Sequence, residues 1–450
     1  MGKNGMKRVG ERDKRGAASP AVRFAFAAAL LFIIALTTVG CGSREQVIRV
    51  GIMAESNWDV PSGTVYDIID LAAERFEAEH PGVRVEYTGG ILKEDYSEWL
   101  AEQLLLGTEP DVFMILSEDF HMLASLGALE DLSDLIQSDP SFDGEAYYPA
   151  AYAGGQWEGR QMALAYECVP RLMFVNRSLL EEAGVEMPGE DWTWEDFYEI
   201  CRQVTADTDG NGVLDRFGCY NYSWTDAVYA NGQGLFDPDG TECYVGSPAA
   251  EEAVLFVEQL NGLNQGAQVS AQDFDLGNVA FQPLLFSEYH TYSPYPWRIK
   301  KYTGFEWECL PMPAGPSGAN VSEMDVLLMG ISSRCSDRDL AWEFLKLMTY
   351  DAEIQEQIFS LSQGASGLKS VVTAPETAER INADMPAGSR MDMELLDEIM
   401  ETAVTMPSFR KYEEAMSMLE EGVAEAMADD KNIHSSLVTL QRRLVSFLRN

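Results

Sequence analysis

Oxygen donors at alternate positions are the most specific chemistry the chain offers. In DTDGNGVLDRFG (Asp207 to Gly218), Asp207, Asp209, Asn211 and Asp215 supply side-chain oxygens, Gly212 permits a sharp turn, Val213 offers its carbonyl and Leu214 reads as a buried anchor. This spacing matches a calcium loop, in which the ion takes about six to eight oxygens. The twelfth position, usually a bidentate glutamate, is Gly218, so the missing oxygens would come from elsewhere or from water. The same residues also fit a plain Asp/Gly-rich turn. If calcium binds, its role is structural, and no cofactor is otherwise required. No Gly-x-Ser-x-Gly elbow, Walker loop or His-Glu-x-x-His pair is present. The histidines at 80, 121, 290 and 434 are too scattered to suggest a metal cluster. What remains for catalysis is a carboxylate pair, which suits glycoside hydrolysis when the two stand about 5 to 9.5 Å apart.

The elements around these residues read as α/β. VIRVGIM (Val47 to Met53) is a short β-branched strand, and a helix with Val65, Ile68, Ile69, Ala72 and Phe76 on one stripe follows, stopped by His80-Pro81-Gly82. VRVEY (Val83 to Tyr87) alternates as a strand. A second helix carries Tyr96, Trp99, Leu100 and Leu104, and DVFMIL (Asp111 to Leu116) is a near-continuous apolar strand. Strand, helix, strand, helix, strand predicts a parallel sheet with right-handed crossovers. Ligands bind beyond the carboxyl ends of such strands, which singles out the loops 54–63 and 117–121. Their acids Glu55, Asp59, Glu118 and Asp119, with Trp58, become candidates to contact a ligand. Neither loop has glycines to cradle a phosphate, which argues against a nucleotide.

The first 23 residues hold seven basic side chains against two acids, and the apolar run Phe24 to Leu36 is shorter than the roughly 20 residues a membrane span needs. Residues 1–40 therefore read as a secretory signal. Thr38-Val39-Gly40-Cys41 resembles the lipobox of bacterial lipoproteins, in which cleavage before Cys41 exposes a thiol for acylation, with residues 41–45 as a polar tether. Thr38 stands where leucine or valine is usual. Without the signal, 25 basic residues face 71 acids, a formal charge of −46. Clustered Lys and Arg for nucleic-acid phosphates are missing, so nucleic acid is excluded as a partner. About 400 residues exceed what one core supports, which predicts two domains. Six cysteines remain, at 168, 201, 219, 243, 309 and 335, with no Cys-x-x-Cys spacing, and the count alone does not establish disulfides.

The middle of the chain resembles a known family. Gly154-Gly155, Trp157-x-Gly159-Arg160 with Ala163-Leu164, then Phe174-Val175-Asn176-Arg177 with Ala183-Gly184, then Trp192 to Phe197 resemble extracellular solute-binding protein family 1, the sugar-binding lipoproteins of ABC importers. Segments 234–257, 308–316, 329–349 and 366–371 follow in the family's order, so the likeness covers nearly the whole mature chain. The resemblance implies a two-lobed periplasmic-binding-protein-like (type II) fold with a hinged cleft. Its lobes would be 46–163 with 330–366 and 168–325 with 370–450, the chain crossing near Ala163 to Cys168 and Asp325 to Gly330. It further implies a monomer with no enzymatic activity, lipid-anchored at the extracytoplasmic face of the cell membrane, that passes a mono- or oligosaccharide to transmembrane permease subunits with a cytoplasmic ATPase. A polyamine or other cationic solute is the alternative ligand, and a lipid-anchored glycoside hydrolase the rival of another class.

Sugars need aromatic platforms for their C–H faces and carboxylates or amides for their hydroxyls. In the second lobe, Trp224 within YNYSWTDAVYANG and Tyr289, Tyr292 and Trp297 within FSEYHTYSPYPWR are candidates, although each aromatic also reads as plain core. The family's glycine pattern is lost around Trp297. MPSFRKYEEA (Met406 to Ala415) resembles a segment that supplies another aromatic to the cleft, with Phe409 and Tyr412 as candidates, and Glu167 at the crossing joins the candidate acids.

Overall fold

The computed structural model describes residues 46–54, 65–288, 305–362, 364–383, 389–407, 409–428 and 432–450. Its strands are β1 (Gln46–Gly51), β2 (Val83–Thr88), β3 (Val112–Ile115), the short pair β4 (Gln156–Trp157) and β5 (Arg160–Gln161), β6 (Ala163–Asn176), β7 (Phe217–Cys219), β8 (Val279–Leu285), β9 (Trp307–Leu310) and β10 (Met324–Ile331). β1 pairs in parallel with both β2 and β3, joined through the helices Val65–Glu79 and Lys93–Leu106, as the alternating pattern predicts.

One sheet runs through the molecule in the order β2-β1-β3-β10-β6-β8-β7, with β9 also on β6. β6 is 14 residues long and buried at every position but Arg171. Up to Pro170 it pairs antiparallel with β10, with Ala163 opposite Gly330 and Val169 opposite Asp325. From Arg171 onward its partners are β8 and β9. The exchange of partners falls at Pro170, a residue with no N–H to give to a ladder. Between Leu327, opposite Glu167, and Leu328, opposite Ala165, the register skips Tyr166, which is therefore a bulge in β6 four residues before Pro170.

Side chains alternate across the second half of β6. Leu172 and Phe174 join a core that includes β1, β3 and β10, whereas Met173 and Val175 join a second core with Leu179 to Leu260 and Phe409 to Leu448. The helices Tyr412–Ala428 and Ile433–Arg449 pack in the second core through Leu419, Val423 and Ala426 and through Leu437, Leu440, Leu444 and Leu448, the residues whose period the sequence shows. Residues 371–400, grouped by sequence with the second lobe, lie in the first core instead. The apolar face of the helix Met393–Thr402, with Leu395, Leu396, Ile399 and Met400, packs against the helix Pro149–Gly154.

Glu167 ties β6 to the chain behind it. It is 1% exposed, and its carboxylate accepts hydrogen bonds from Ser362 Oγ (2.7 Å) and the Gly364 amide (2.6 Å), while Cys168 and Ala365 exchange backbone bonds of 2.8 Å. A side chain at 364 would reach 2.3 Å from Glu167 Oε1, so glycine is required there. Glu167→Ala leaves two buried donors unpaired and is expected to cost about 2–4 kcal/mol. A urea titration should show a lower midpoint at unchanged slope.

Candidate functional site

A cavity of about 540 Å³ opens at the carboxyl ends of the strands, between the two cores. Lys93, Ser117, Glu118, Asp119, His121 and Met122 line it from one side, Leu285 with Met406, Pro407, Phe409, Arg410, Tyr412, Glu413 and Glu414 from the other, and Asp325 of β10 forms the floor. The segment read as a loop after β3 is the first turn of the helix Ser117–Ser125, because only Leu116 intervenes. Glu118 and Asp119 thereby sit at the positive end of the helix dipole, which favours negative charge. Asp119 accepts a 2.5 Å bond from Ser97 Oγ, yet burial raises its pKa above the ordinary carboxylate range.

Tyr412 and Phe409 supply the aromatic wall. Their rings meet edge to face at 5.5 Å, and both meet Phe236 edge to face, so the platform is held by the second core rather than by solvent. Tyr412 opens its helix and lines the cavity; Phe409 is largely buried beneath it. Burial, then the charge of Glu323, pushes the Tyr412 hydroxyl pKa up, so it remains a donor at any physiological pH.

Behind the floor lies a group of charges no motif announced. Arg171 Nε stands 2.8 Å from Asp226 Oδ1, and Asp226 also closes a capping box with Ser223 at the start of the helix Trp224–Ala230. Glu323, whose carbonyl accepts the Arg171 amide at 2.8 Å, keeps one carboxyl oxygen buried with no hydrogen-bond partner. Burial pushes the Glu323 pKa up to about 8, Asp226 and Asp325 adding to the rise and Arg171 opposing it. Asp325 keeps exposed surface on the floor, but the protein around it displaces much of its hydration and raises its pKa, against the pull of Arg171. Burial likewise raises Glu413 on the rim, with Glu118 adding to it. The lining offers five acids, Glu118, Asp119, Asp325, Glu413 and Glu414, against Lys93 and Arg410.

Of the residues singled out from sequence, the cavity brings together Glu118, Asp119, Phe409 and Tyr412. Glu167 faces the core, with both carboxylate oxygens engaged there and away from the cavity wall. Trp224 packs half-buried on the second core. The segment around it, which showed no clear period, forms a helix started by Ser223 and Asp226, a Ser-x-x-Asp cap that was legible. Glu55, Trp58, Asp59, Tyr289, Tyr292, Trp297 and Cys41 lie outside the described residues. Sequence reasoning missed Lys93, Asp325 and Glu413 as lining. Asp325 gives a signal in hindsight, as an acid near the head of the apolar run VLLMGI.

The loop at 207–215 closes on itself. One ligand oxygen each from Asp207, Asp209 and Asp215 lies within 4.8 Å of the others. Asp207 accepts the amides of Gly210 (2.8 Å) and Gly212 (2.7 Å), and Asp215 accepts from Thr208 Oγ1 (2.7 Å). These bonds hold both carboxyls below their usual pKa, the Gly212 amide leading for Asp207 and the Thr208 hydroxyl for Asp215. Asp207 Oδ1 accepts both the Gly210 and Asn211 amides, which leaves Asp207 Oδ2 and the Asp215 oxygens to offer a lone pair to a cation. A side chain at Gly218 would meet Cys201 Cβ at 2.4 Å, which is why no glutamate occupies the twelfth position. A larger cavity of about 790 Å³, lined by Arg177, Glu190, Asp191, Glu308 and Arg390 among others, has no aromatic wall and none of the candidates.

Family comparison gives a match to the bacterial extracellular solute-binding proteins over residues 61–353. Among solved structures, a cyclic alpha-maltosyl-1,6-maltose binding protein from Arthrobacter globiformis superposes with a TM-score of 0.74 at 16% identity, covering 90% of this chain and 99% of that one. The sugar-binding protein MalE from Xanthomonas citri gives 0.71 at 16%, covering 90% and 98%. An ABC substrate-binding protein from Listeria monocytogenes in complex with cycloalternan gives 0.66 at 18%, covering 90% and 99%. These superpositions place the α/β architecture among two-lobed solute-binding folds.

The raised Glu323 pKa has a thermodynamic sign. The folded chain keeps that proton up to about pH 8, whereas the unfolded chain releases it near 4.5, so stability falls as pH rises across this interval. Glu323→Gln is expected to lessen the slope, the raised Asp119, Asp325 and Glu413 keeping their share of it. The variant is expected to melt several degrees above the parent at the top of that interval and alike near its bottom, read by circular dichroism in a pH series.

Proposed function

The chain belongs to the bacterial extracellular solute-binding proteins, and from that premise we propose that it captures a mono- or oligosaccharide in the cleft and delivers it to the permease of an ABC importer. The observation that carries this reading is the wall of Phe409 and Tyr412 facing carboxylates from the opposite side of one cavity, the pairing a sugar needs. The sugar ligands named for the similar structures support it. Contacts from both sides favour the closed arrangement by their differential free energy, which is how ligand would shift the open–closed equilibrium. The excess of acids in the lining favours an amine-bearing solute as the second reading. The protein acts as a monomeric binder without turnover.

Family membership places the protein outside the cytoplasm, and no helix among the described residues is long and apolar enough to cross a membrane. We propose that acyl chains on Cys41 tether it to the membrane face, each buried methylene contributing about 0.8 kcal/mol. The loop of Asp207, Asp209, Asn211, Val213 and Asp215 would hold a structural calcium.

A thermal-shift series over oligosaccharides and polyamines, with chromatography of products, tests the binding reading. A ligand at about 100 times its Kd should stabilise the fold by roughly 2.7 kcal/mol. Tyr412→Ala should weaken a sugar that binds by about tenfold, or about 1.4 kcal/mol. Silence across sugars with a polyamine response would replace the ligand class, and products released from a glycan would replace the binder with a hydrolase. Calcium should raise the melting temperature of the parent and leave Asp207→Asn unmoved.

A further inference from the structure

The helix Lys93–Leu106 ends in three leucines. Leu105 is 88% exposed and Leu106 66%, and Leu126, just past the helix Ser117–Ser125, is 74% exposed. Leu105 and Leu126, with Leu100, Leu104 and Met122, line a groove of about 560 Å³, and the exposed Leu106 extends an apolar surface that proteins rarely leave uncovered without a role. Both helix ends lie where β3 begins rather than where it ends, so Leu105, Leu106 and Leu126 sit toward the opposite end of the strands from Asp325, and the groove runs back from them to Asp119 and Met122 at the cavity.

The chain enters the fold at this same edge. Arg334 Nη2 donates to the Leu104 carbonyl (2.7 Å) and Ser333 Oγ to the Gly127 carbonyl (2.7 Å), which fastens 333–334 to the leucine rim. Three residues on, Asp337 accepts a 2.8 Å bond from Gln46, the first residue of β1. Only five steps of chain separate Gln46 from Cys41, a reach of at most about 18 Å. An acylated Cys41 would therefore hold this edge within about 18 Å of its acyl attachment at the bilayer surface. The excess of acid repels anionic lipid, so what can attract the protein to a membrane here is apolar contact rather than charge.

We propose that the Leu104–Leu106 and Leu126 surface is a membrane-seating foot that rests in a zwitterionic lipid surface and turns the cleft toward the medium. This rests on the acylation of Cys41 proposed above and goes beyond it, because a lipid tether alone sets no orientation. The foot adds to the anchor by burying leucine side chains at the headgroup boundary.

The test uses the full chain, processed and acylated in its bacterial host and reconstituted in phosphatidylcholine vesicles. A nitroxide is placed at Leu105→Cys or, as control, at Leu276→Cys. Leu276 is 65% exposed and lies near the far end of β6, where Asn176 donates to the Gly277 carbonyl. Unsubstituted chain gives the labelling background. The ratio of collisions with dissolved oxygen to collisions with an aqueous nickel chelate is expected to be roughly fivefold higher at 105 than at 276. Equal, water-like ratios on protein that still floats with the vesicles overturn the foot and leave the anchor standing. Shielding of 105 from both reagents means a protein copy covers it, which also overturns the foot. Mass spectrometry that finds Cys41 unacylated removes the anchor and the foot together, without touching solute binding.

Discussion

The antiparallel ladder between β6 and β10 is the constraint on which the remainder depends. Both crossings of the chain are strands, and each is the other's hydrogen-bond partner from Ala163–Gly330 to Pro170–Met324. Because β10 also pairs with β3, and β6 goes on to pair with β8 and β9, the two cores share a single hydrogen-bonded sheet. Any relative movement of the halves would be absorbed in β6, at the Tyr166 bulge and where partners change after Pro170, and not by sliding of one half past the other. The same ladder puts Asp325 in the cavity lining and Glu323, just ahead of β10, beside Arg171, so the cavity and the exchange of strand partners are built from neighbouring residues.

That proximity gives the cleft its electrostatic character. Arg171 is drawn into the group of Asp226, Glu323 and Asp325 and opposes the rise of both Glu323 and Asp325 without cancelling it, with Lys93 also pulling on Asp325. Carboxyls that are poorly hydrated and face one another gain from any donor that enters. A sugar brings hydroxyls and displaces water, whereas an amine brings charge. The lining thus holds carboxyl groups in excess, with the aromatic wall of Phe409 and Tyr412 alongside them.

Much of this was legible in the residues. The alternation of β-branched strands with amphipathic helices between Val47 and Leu116 gave the parallel half of the sheet because each apolar stripe has a single period. The Trp157 to Phe197 motifs gave the family. Glu118 and Asp119 line the cavity because position at a strand's carboxyl end is a topological property, readable from element order. The charge group around Arg171 stayed hidden because its members come from β6, from the helix Trp224–Ala230 and from the approach to β10, which only tertiary pairing brings together. Glu167 misled for the converse reason: an acid in an apolar strand at the crossing signals a partner, and its partners, Ser362 and Gly364, were nearly 200 residues away.

The six cysteines among the described residues are all unpaired. Burial drives the thiols of Cys168, Cys201, Cys219 and Cys309 far above their usual pKa, and those of Cys243 and Cys335 up to about 11. Since the thiolate is the reactive form, the folded interior is chemically silent toward oxidants and alkylating reagents. An exported protein of this kind can mature without a disulfide-forming catalyst, and its fold does not register the redox state of its surroundings. A new cysteine on its surface would be the nucleophile that reacts first, making the molecule a natural chassis for a fluorescent solute sensor.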